Sequence, residues 1–177
     1  MEIPQYTTPR LRLRGFKPAD IELLYKIVSD PDVIRYFPLS TPWPREVTQK
    51  WVEKHRSHWE QYKFGWWALD LRETNEFLGW CGLGVLDETS EVEVLYLLKK
   101  SHWGMGFATE AAQYSIDYAF KELDLDSVIG LTHPDNIASQ KVLQKAGLTF
   151  TEEAQYFGMD LYKFSIDQQT YKALHPS

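Results

Sequence analysis

Apolar and polar positions follow two different periods along the chain and predict a mixture of strands and helices. Strict alternation over Arg10–Arg14 and Glu91–Lys99 predicts two half-buried strands. Apolar positions three and four apart predict helices that start at Pro18, at Pro44 and just after Gly106. Further strands are predicted over 66–71, 77–86, 127–131, 148–156 and 161–166, and a further helix over 136–146 with Asn136 as its N-cap. Three glycines in the 77–86 strand suggest bulges or close backbone contacts there. The order β-α-α-β-β-β-α-β-α-β-β predicts an α+β protein with a mixed α/β sheet.

Composition narrows the class of protein without naming it. The chain has 177 residues, so we expect one domain over 1–177. With 44% hydrophobic and 25% charged residues, it is not a disordered chain. A net charge of −6 gives no general attraction for nucleic acid or anionic membranes, so neither is expected as a partner. Aromatic residues reach 15%, and we expect most of them in the core, with some lining a pocket.

The cysteine count and the chain's start indicate a compartment. Cys81 is the single cysteine, which excludes an internal disulfide and a cysteine-based zinc site and suits a reducing environment. His55 and His58 lie three residues apart, but further ligands are not recognisable, so no metal is expected. The first residues do not form a signal peptide, and no apolar run approaches the ~20 residues of a membrane span. A cytoplasmic location is therefore expected.

A glycine-containing loop is the strongest local signal for ligand binding. It runs from Trp103 to Thr109 and lies between the strand over Glu91–Lys99 and a strong helix. A helix N-terminus offers free N–H groups and a partial positive charge, and Gly104 and Gly106 let that backbone approach a ligand. Together these features favour an anion site, typically for phosphate, in an otherwise acidic chain. The alternative is a tight strand–helix turn that needs two glycines.

Several motifs occur in one order along the chain. The loop reads W-G-M-G-F-A-T-E-A from Trp103, Thr8–Arg14 reads T-P-R-L-R-L-R, and Ser29–Val33 closes the first helix. Residues Asn136–Leu148 read N-I-A-S-Q-K-V-L-Q-K-A-G-L. Together they resemble the GNAT superfamily of acyl-CoA N-acyltransferases, in particular its RimJ/RimL-like branch. Trp103 departs from the general Q/R-x-x-G-x-G/A pattern, but tryptophan is typical of this branch.

The resemblance implies a fold, a reaction and a cofactor. It implies a central, mostly antiparallel sheet flanked by about four helices. It also implies direct transfer of the acetyl group of acetyl-CoA to a primary amine in a ternary complex, without a metal. The loop would hold the pyrophosphate, the strand would pair with pantetheine, and a side chain at a helix start would contact the cofactor arm. The cofactor residues so implied are Tyr96, Leu97, Leu98, Trp103, Gly104, Met105, Gly106, Phe107, Ala108, Thr109 and Asn136.

Two residues are candidates for proton transfer. Glu93 interrupts an apolar face beside Leu95 and Leu97 and matches a glutamate of this branch, so it is the candidate general base. The alternatives are a solvated glutamate and one paired with a basic residue. The superfamily's tyrosine position is Leu143 here, so Ser139 is the candidate acid for the leaving thiolate. Ser139 could equally be a capping residue, and a thiolate with a pKa near ~8.5 can leave without an acid.

The acceptor is an amine of open identity. The resemblance places the wall of the acceptor site on the connector with Tyr36, Phe37 and Trp43 and on the hairpin near Tyr156. A protein N-terminus, a polyamine, an aminoglycoside-like drug and an amino-acid analogue remain open. The alternative to an enzyme is a catalytically inactive CoA-binding sensor or interaction module of the same fold. A homodimer is left open, because sequence does not separate a surface patch from the core.

Overall fold

The computed structural model describes residues 2–176 and contains one eight-stranded sheet with helices on both faces. Its strands are β1 Tyr6–Thr7, β2 Leu11–Arg14, β3 Trp66–Leu71, β4 Phe77–Val85, β5 Val92–Leu98, β6 Ser127–Thr132, β7 Thr149–Tyr156 and β8 Met159–Asp167. Its α-helices are α1 Asp20–Val28, α2 Pro31–Ile34, α3 Arg45–Tyr62, α4 Phe107–Lys121, α5 Ile137–Lys145 and α6 Gln168–Leu174. The strand order is β1-β2-β3-β4-β5-β6-β8-β7, and only the β5–β6 pair is parallel in this part of the chain.

The predicted mixed, mostly antiparallel sheet is confirmed, and the four predicted helices are present as α1, α3, α4 and α5. The structure has six helices over residues 2–176, and the two extra ones are short. Helix α2 occupies four residues inside the predicted connector, too few to show a helical period. Helix α6 follows the last strand directly, capped by the Asp167 side chain, which accepts from the Thr170 N–H. The two-residue strand β1 was also not predicted.

The sheet separates two layers of core. On one face α4 packs against the sheet around Leu13, Trp67 and Ile116. On the other face α1 and α3 cover a cluster that includes Trp43, Trp80 and Leu97. Alternation along β5 sends its odd- and even-numbered side chains to these different layers, as predicted.

Glycines in β4 allow neighbouring groups to approach its backbone, as their number predicted. A Cβ at Gly79 would lie 2.0 Å from the Leu97 carbonyl oxygen, and one at Gly84 would lie 2.2 Å from the Trp66 ring. Both distances are shorter than any real Cβ contact, so a side chain would force strand or ring to move. Gly84 pairs with Glu93 in the β4–β5 register. The glycine therefore lets the large Trp66 ring lie on the sheet beside the strand that carries the candidate base.

Arg14 at the end of β2 and Arg10 just before its start have different partners. Arg14 is buried and donates to Asp70 on β3 at 2.6 and 2.8 Å and to Asp20 on α1 at 2.6 and 3.0 Å. This triad fixes α1 against the sheet, because each unpaired charge would be costly in the interior. Arg10, four residues earlier, is half-exposed and reaches α4 instead.

Candidate active site

Strands β5 and β6 open a cleft at the centre of the sheet. They lie parallel and pair at one position, Glu93 with Ile129, although both strands continue beyond it. The Lys99 N–H donates to the Leu78 carbonyl at 2.8 Å across the β4–β5 pair. Backbone groups alternate in direction along a strand, so those of Tyr96 and Leu98 point away from β4 and into the cleft. The open edge of β5 can therefore pair with an extended, amide-containing ligand.

Glu93 lies where the two strands separate. Its side chain is 4% exposed, and its Oε1 accepts from the Leu131 N–H at 3.3 Å. Burial raises the pKa of Glu93 to about 8, and the Leu131 hydrogen bond opposes this only in part. Within residues 2–176, no cationic side chain forms an ion pair with this carboxylate. Glu93 is therefore neither solvated nor paired with a base, the two alternatives that the sequence left open.

The first turn of α5 faces the cleft beside β5. Asn136 is the N-cap, as predicted, and its Oδ1 accepts from the Ser139 N–H at 3.2 Å. The Ser139 Oγ lies 2.8 Å from the Tyr96 phenol oxygen, which is also 3.1 Å from the Ser139 carbonyl. Burial raises the pKa of Tyr96, so its phenol keeps its proton. This hydroxyl pair joins the two walls of the cleft; the sequence had pointed only to the backbone of Tyr96.

Leu143 occupies the position at which many members of the superfamily have a tyrosine, and it is buried. Its side chain is 1% exposed and lies against Gly130, where an added Cβ would be 2.4 Å from the Leu143 Cδ2. The position is filled by core packing rather than by a group that could reach a ligand. Ser139 and Tyr96 are the hydroxyl groups that the structure brings to this part of the cleft.

The loop before α4 presents main-chain donors, as its glycines predicted. Gly104 and Gly106 have φ of +74° and +81°, conformations that favour glycine. Gly106 is the N-cap of α4, so the N–H groups of the following residues lack intrahelical acceptors. The Trp103 indole N–H donates to the Leu98 carbonyl at 2.8 Å, which attaches the loop to the end of β5. Trp103 thus holds the loop against the sheet.

Arg10 and Glu110 flank this loop and were not predicted as site residues. Arg10 donates from Nε to Glu110 Oε2 at 2.6 Å and from Nη1 to the Met105 carbonyl at 2.8 Å. Glu110 also accepts from the Thr8 hydroxyl at 2.6 Å and the Arg10 N–H at 2.8 Å. Burial alone would raise the pKa of Glu110, but the hydrogen bonds from Thr8 and Arg10 lower it. Both residues lie in motifs that carried the family resemblance, and that was the available signal.

The four candidate acceptor residues lie at different depths. Tyr36 is half-buried and stacks on His133 with ring centroids 5.1 Å apart, so it lies beside the loop that leads to α5. Phe37 is half-buried and packs edge-on against the buried Trp43 and Trp80. Tyr156 is buried, and its hydroxyl donates to Glu91 Oε2 at 3.0 Å. Their role in acceptor binding stays a prediction.

Residues 2–176 contain neither a candidate metal-binding group nor a candidate membrane-spanning helix. No three His, Cys, Asp or Glu side chains in this range lie close enough together to hold a metal ion. No helix in the same range is long and apolar enough to cross a membrane.

Comparison with known proteins agrees with this geometry. The sequence profile described as "Acetyltransferase (GNAT) domain" matches residues 10–149. The chain is 32% identical over 171 residues to "Uncharacterized N-acetyltransferase p20" of Bacillus licheniformis, covering 93% of this chain and 96% of that protein. The crystal structure of the acetyltransferase from Agrobacterium tumefaciens str. C58 superimposes with a TM-score of 0.84 at 27% identity, covering 95% of this chain and 96% of that one.

A third similarity concerns the branch. The structure of RimL, named a ribosomal L7/L12 alpha-N-protein acetyltransferase in complex with coenzyme A, has a TM-score of 0.78 at 17% identity, covering 95% of this chain and 98% of that one. At this identity the RimJ/RimL-like resemblance is confirmed at the level of the fold.

The chain belongs to the GNAT acetyltransferase family. It is an N-acetyltransferase, and acetyl-CoA is its co-substrate. The cleft fits that co-substrate, because an open strand edge and a loop of free N–H groups meet at its mouth.

Proposed function

We propose that the protein transfers the acetyl group of acetyl-CoA directly to a primary α-amine in a ternary complex, with Glu93 as the general base. The observation that carries the proposal is the position of Glu93, buried and without a cation where β5 and β6 separate. A carboxylate held there faces the strand edge on which the thioester would lie. It can take the proton that the attacking amine must lose.

The cofactor would lie along elements already described. Main-chain N–H groups between Gly104 and Thr109 would hold the pyrophosphate, because they point from a helix N-terminus that lacks other acceptors. The exposed backbone of Tyr96 and Leu98 would pair with the amides of pantetheine. Asn136, besides capping α5, lies beside the same arm. When bound, acetyl-CoA supplies an activated acyl group and a thiolate leaving group.

The acceptor class is proposed from the free energy needed to deprotonate each kind of amine. An α-ammonium group has a pKa near ~8 and a lysine side chain one near ~10.4. Because the pKa of Glu93 is raised to about 8, transfer of a proton from an α-ammonium group to it is nearly balanced. The same transfer from a lysine-like amine costs about 3 kcal/mol more. An α-amine is therefore favoured over a polyamine or an ε-amine.

We propose Ser139 as the group that serves the leaving thiolate. The Tyr96 phenol donates its one hydrogen to the Ser139 carbonyl at 3.1 Å, so the Ser139 hydroxyl can either donate to the Tyr96 oxygen at 2.8 Å or turn its own hydrogen into the cleft. That hydrogen can bond the thiolate or be transferred to it, in which case Ser139 takes a proton back from solvent. The proton of the attacking neutral amine goes to Glu93, which releases it to solvent before the next turnover. One proton is gained by the thiol and one lost by the amine, so the balance is kept. Tyr96 acts here through Ser139 and is a positioning residue.

The acceptor wall is proposed on both sides of the cleft mouth. Tyr36 and Phe37 come from the connector between α1 and α3, with Trp43 behind them, and Tyr156 comes from the β7–β8 hairpin. Aromatic walls suit an extended chain, such as the N-terminus of a peptide, because ring faces bury apolar stems.

The proposal is tested by acetyl-CoA-dependent thiol release with a panel of amines. The panel contains peptides and amino-acid amides with free α-amines, a polyamine, an aminoglycoside and N-acetyl-lysine amide. We expect turnover with α-amines, lowered at least about 100-fold by Glu93→Gln, while CoA affinity stays the same. The matched control is Glu73→Gln, in an exposed turn between β3 and β4. Equal turnover by Glu93→Gln, or turnover with the polyamine alone, would contradict the proposal.

A further inference from the structure

We propose that Arg10 is a positioning residue for the cofactor's pyrophosphate, acting through Met105 and Glu110. The inference rests on the proposed phosphate site at the loop before α4. It assigns a role to the N-terminal segment, which lies outside the cleft and contributes neither to the strand edge nor to the helix N-terminus.

The first reason is the direction of a carbonyl group. A loop that binds an anion through its N–H groups must turn its carbonyl oxygens elsewhere, since an oxygen facing the phosphate would repel it. The Met105 carbonyl lies between the two glycines of the loop and accepts from Arg10 Nη1 at 2.8 Å. Met105 itself is exposed, so its side chain does not anchor the loop. Arg10 therefore fixes the peptide whose rotation would reverse the loop's polarity.

The second reason is the charge in the first turn of α4. Glu110 lies one turn after Gly106, close to where a pyrophosphate would lie, and its pKa is lowered, so it is ionised at neutral pH. An uncompensated carboxylate there would repel the cofactor. Arg10 compensates it through the 2.6 Å contact between Nε and Oε2, and the Thr8 hydroxyl holds the other oxygen.

The third reason is the placement of the guanidinium group. It lies 4.4 Å above the ring of Phe107, a buried residue that fixes its plane. Its Nη2 lies 3.3 Å from where a Cβ of Gly106 would be. Arg10, Gly106, Thr109 and Glu110 border the same open groove of about 600 Å³. The guanidinium group is therefore held against both the loop and the first turn of α4.

Stability alone does not explain the Arg10–Glu110 pair, because the arginine is half-exposed although Glu110 is only 15% exposed. The Arg10 side chain is 45% exposed, and exposed ion pairs contribute little to folding. Arg10→Ala should therefore fold, and its effect should appear in cofactor binding.

The experiment measures binding of CoA, of dephospho-CoA and of pantetheine by calorimetry or competition. We expect Arg10→Ala to weaken CoA and dephospho-CoA alike, by about tenfold, and to leave pantetheine unchanged. Dephospho-CoA keeps the pyrophosphate and pantetheine lacks it. The control is Arg12→Ala, which removes the same charge two residues along the chain. Arg12 lies in β2 and donates to Asn75 at the β3–β4 turn instead of contacting the loop. Arg10→Lys keeps the charge but not the fork, so it should fall between wild type and Arg10→Ala.

A second variant separates the specific role of Arg10 from a general loss of positive charge. Glu110→Gln placed in the Arg10→Ala protein removes the unpaired carboxylate and should restore CoA affinity by about threefold. The proposal is overturned by unchanged CoA affinity in Arg10→Ala, by an equal loss for pantetheine, or by a double variant no better than Arg10→Ala. If Gly106→Glu also leaves CoA binding intact, the phosphate site itself is wrong. If Gly106→Glu abolishes binding, only the role of Arg10 fails.

Discussion

Glu93 lies where β5 and β6 separate and Glu110 lies in the first turn of α4, and the two carboxylates differ in burial and in charged partners. Glu110 is partly exposed, accepts from Thr8 and from Arg10, and has a lowered pKa. Glu93 is buried, accepts from one main-chain N–H, and has a pKa raised to about 8. The same side chain is thus held as a permanent anion at one end and left able to gain a proton at the other.

The difference shows how an acidic chain can hold an anionic co-substrate. With a net charge of −6, the chain as a whole does not attract an anion, so in our proposal the phosphate end depends on oriented N–H groups with its acidic residue neutralised. The reaction end keeps its acidic residue without a cation, because a permanently charged carboxylate would be a weaker base. In our proposal, the carboxylate paired with a cation, Glu110, therefore lies at the phosphate-binding end, and the unpaired carboxylate, Glu93, lies at the reacting end.

The largest effect is expected from a charge placed at the binding end. Gly106→Glu puts a carboxylate where N–H groups face the anion and also strains a residue with φ of +81°. We expect CoA binding to be lost, at least about 100-fold, by calorimetry. Gly158→Glu is the matched control, since it adds the same side chain at φ of +71° in the β7–β8 turn. Retained binding in Gly106→Glu would place the phosphates elsewhere.

The next effect is a pH dependence at the reacting end. Only ionised Glu93 can accept the amine proton, so activity should fall about tenfold per pH unit below about pH 8 and level off above it. The neutral amine adds its own proton dependence. In Glu93→Gln the low-pH slope of log kcat/KM should therefore fall by one unit. An unchanged slope would mean that the observed titration belongs to another group.

A smaller loss is expected from the hydroxyl pair between the two ends. Ser139→Ala removes the donor proposed for the thiolate and should lower turnover about tenfold, with CoA affinity nearly unchanged. Tyr96→Phe keeps the Ser139 hydroxyl but not its orientation and should lower turnover about threefold. Ser165→Ala on β8, whose hydroxyl contacts Thr151, is the control. If the order of the two losses is reversed, the phenol rather than the serine serves the thiolate.

The smallest effect concerns stability, with opposite signs for the two carboxylates. Glu93 has a raised folded pKa, so its favourable contribution is complete below the unfolded pKa and is lost as pH rises to about 8. Glu93→Gln should therefore gain Tm relative to wild type between pH 5 and pH 9, by about 5 °C. Glu110 has a lowered folded pKa, so its contribution is present at neutral pH and lost in acid. Glu110→Gln should lose Tm at neutral pH, and thermal unfolding across pH checks both signs.

The sequence predicted those parts of the molecule that depend on local pattern. Strand β5, helix α4 and the cap at Asn136 follow from alternation, helical spacing and capping preference, and the structure confirms them. The glycine-containing turn before α4 was predicted as well, and the positive φ of Gly104 and Gly106 agrees with it, while anion binding by this loop stays a prediction. Glu93 was singled out because it interrupts an apolar face.

Features that depend on distant residues were not predictable. Arg10 and Glu110 are 100 residues apart, and their contact forms only when β2 lies beside α4. Whether Glu93 was solvated or buried depended on β6, which covers it and supplies the Leu131 N–H. Tyr96 and Ser139 likewise meet across the cleft, 43 positions apart. The short helices α2 and α6 lacked the length that a helical period needs.

The hydrogen bond from Leu131 to Glu93 links chemistry to the sheet itself. In a continued parallel ladder that N–H would bond a main-chain carbonyl of β5, but it bonds the carboxylate instead. An N–H donates more strongly to a carboxylate than to a carboxylic acid. Protonation of Glu93 therefore weakens this hydrogen bond between β5 and β6. Hydrogen exchange of the Leu131 amide becomes a direct reporter of that charge, slow when Glu93 is ionised and faster when it is protonated.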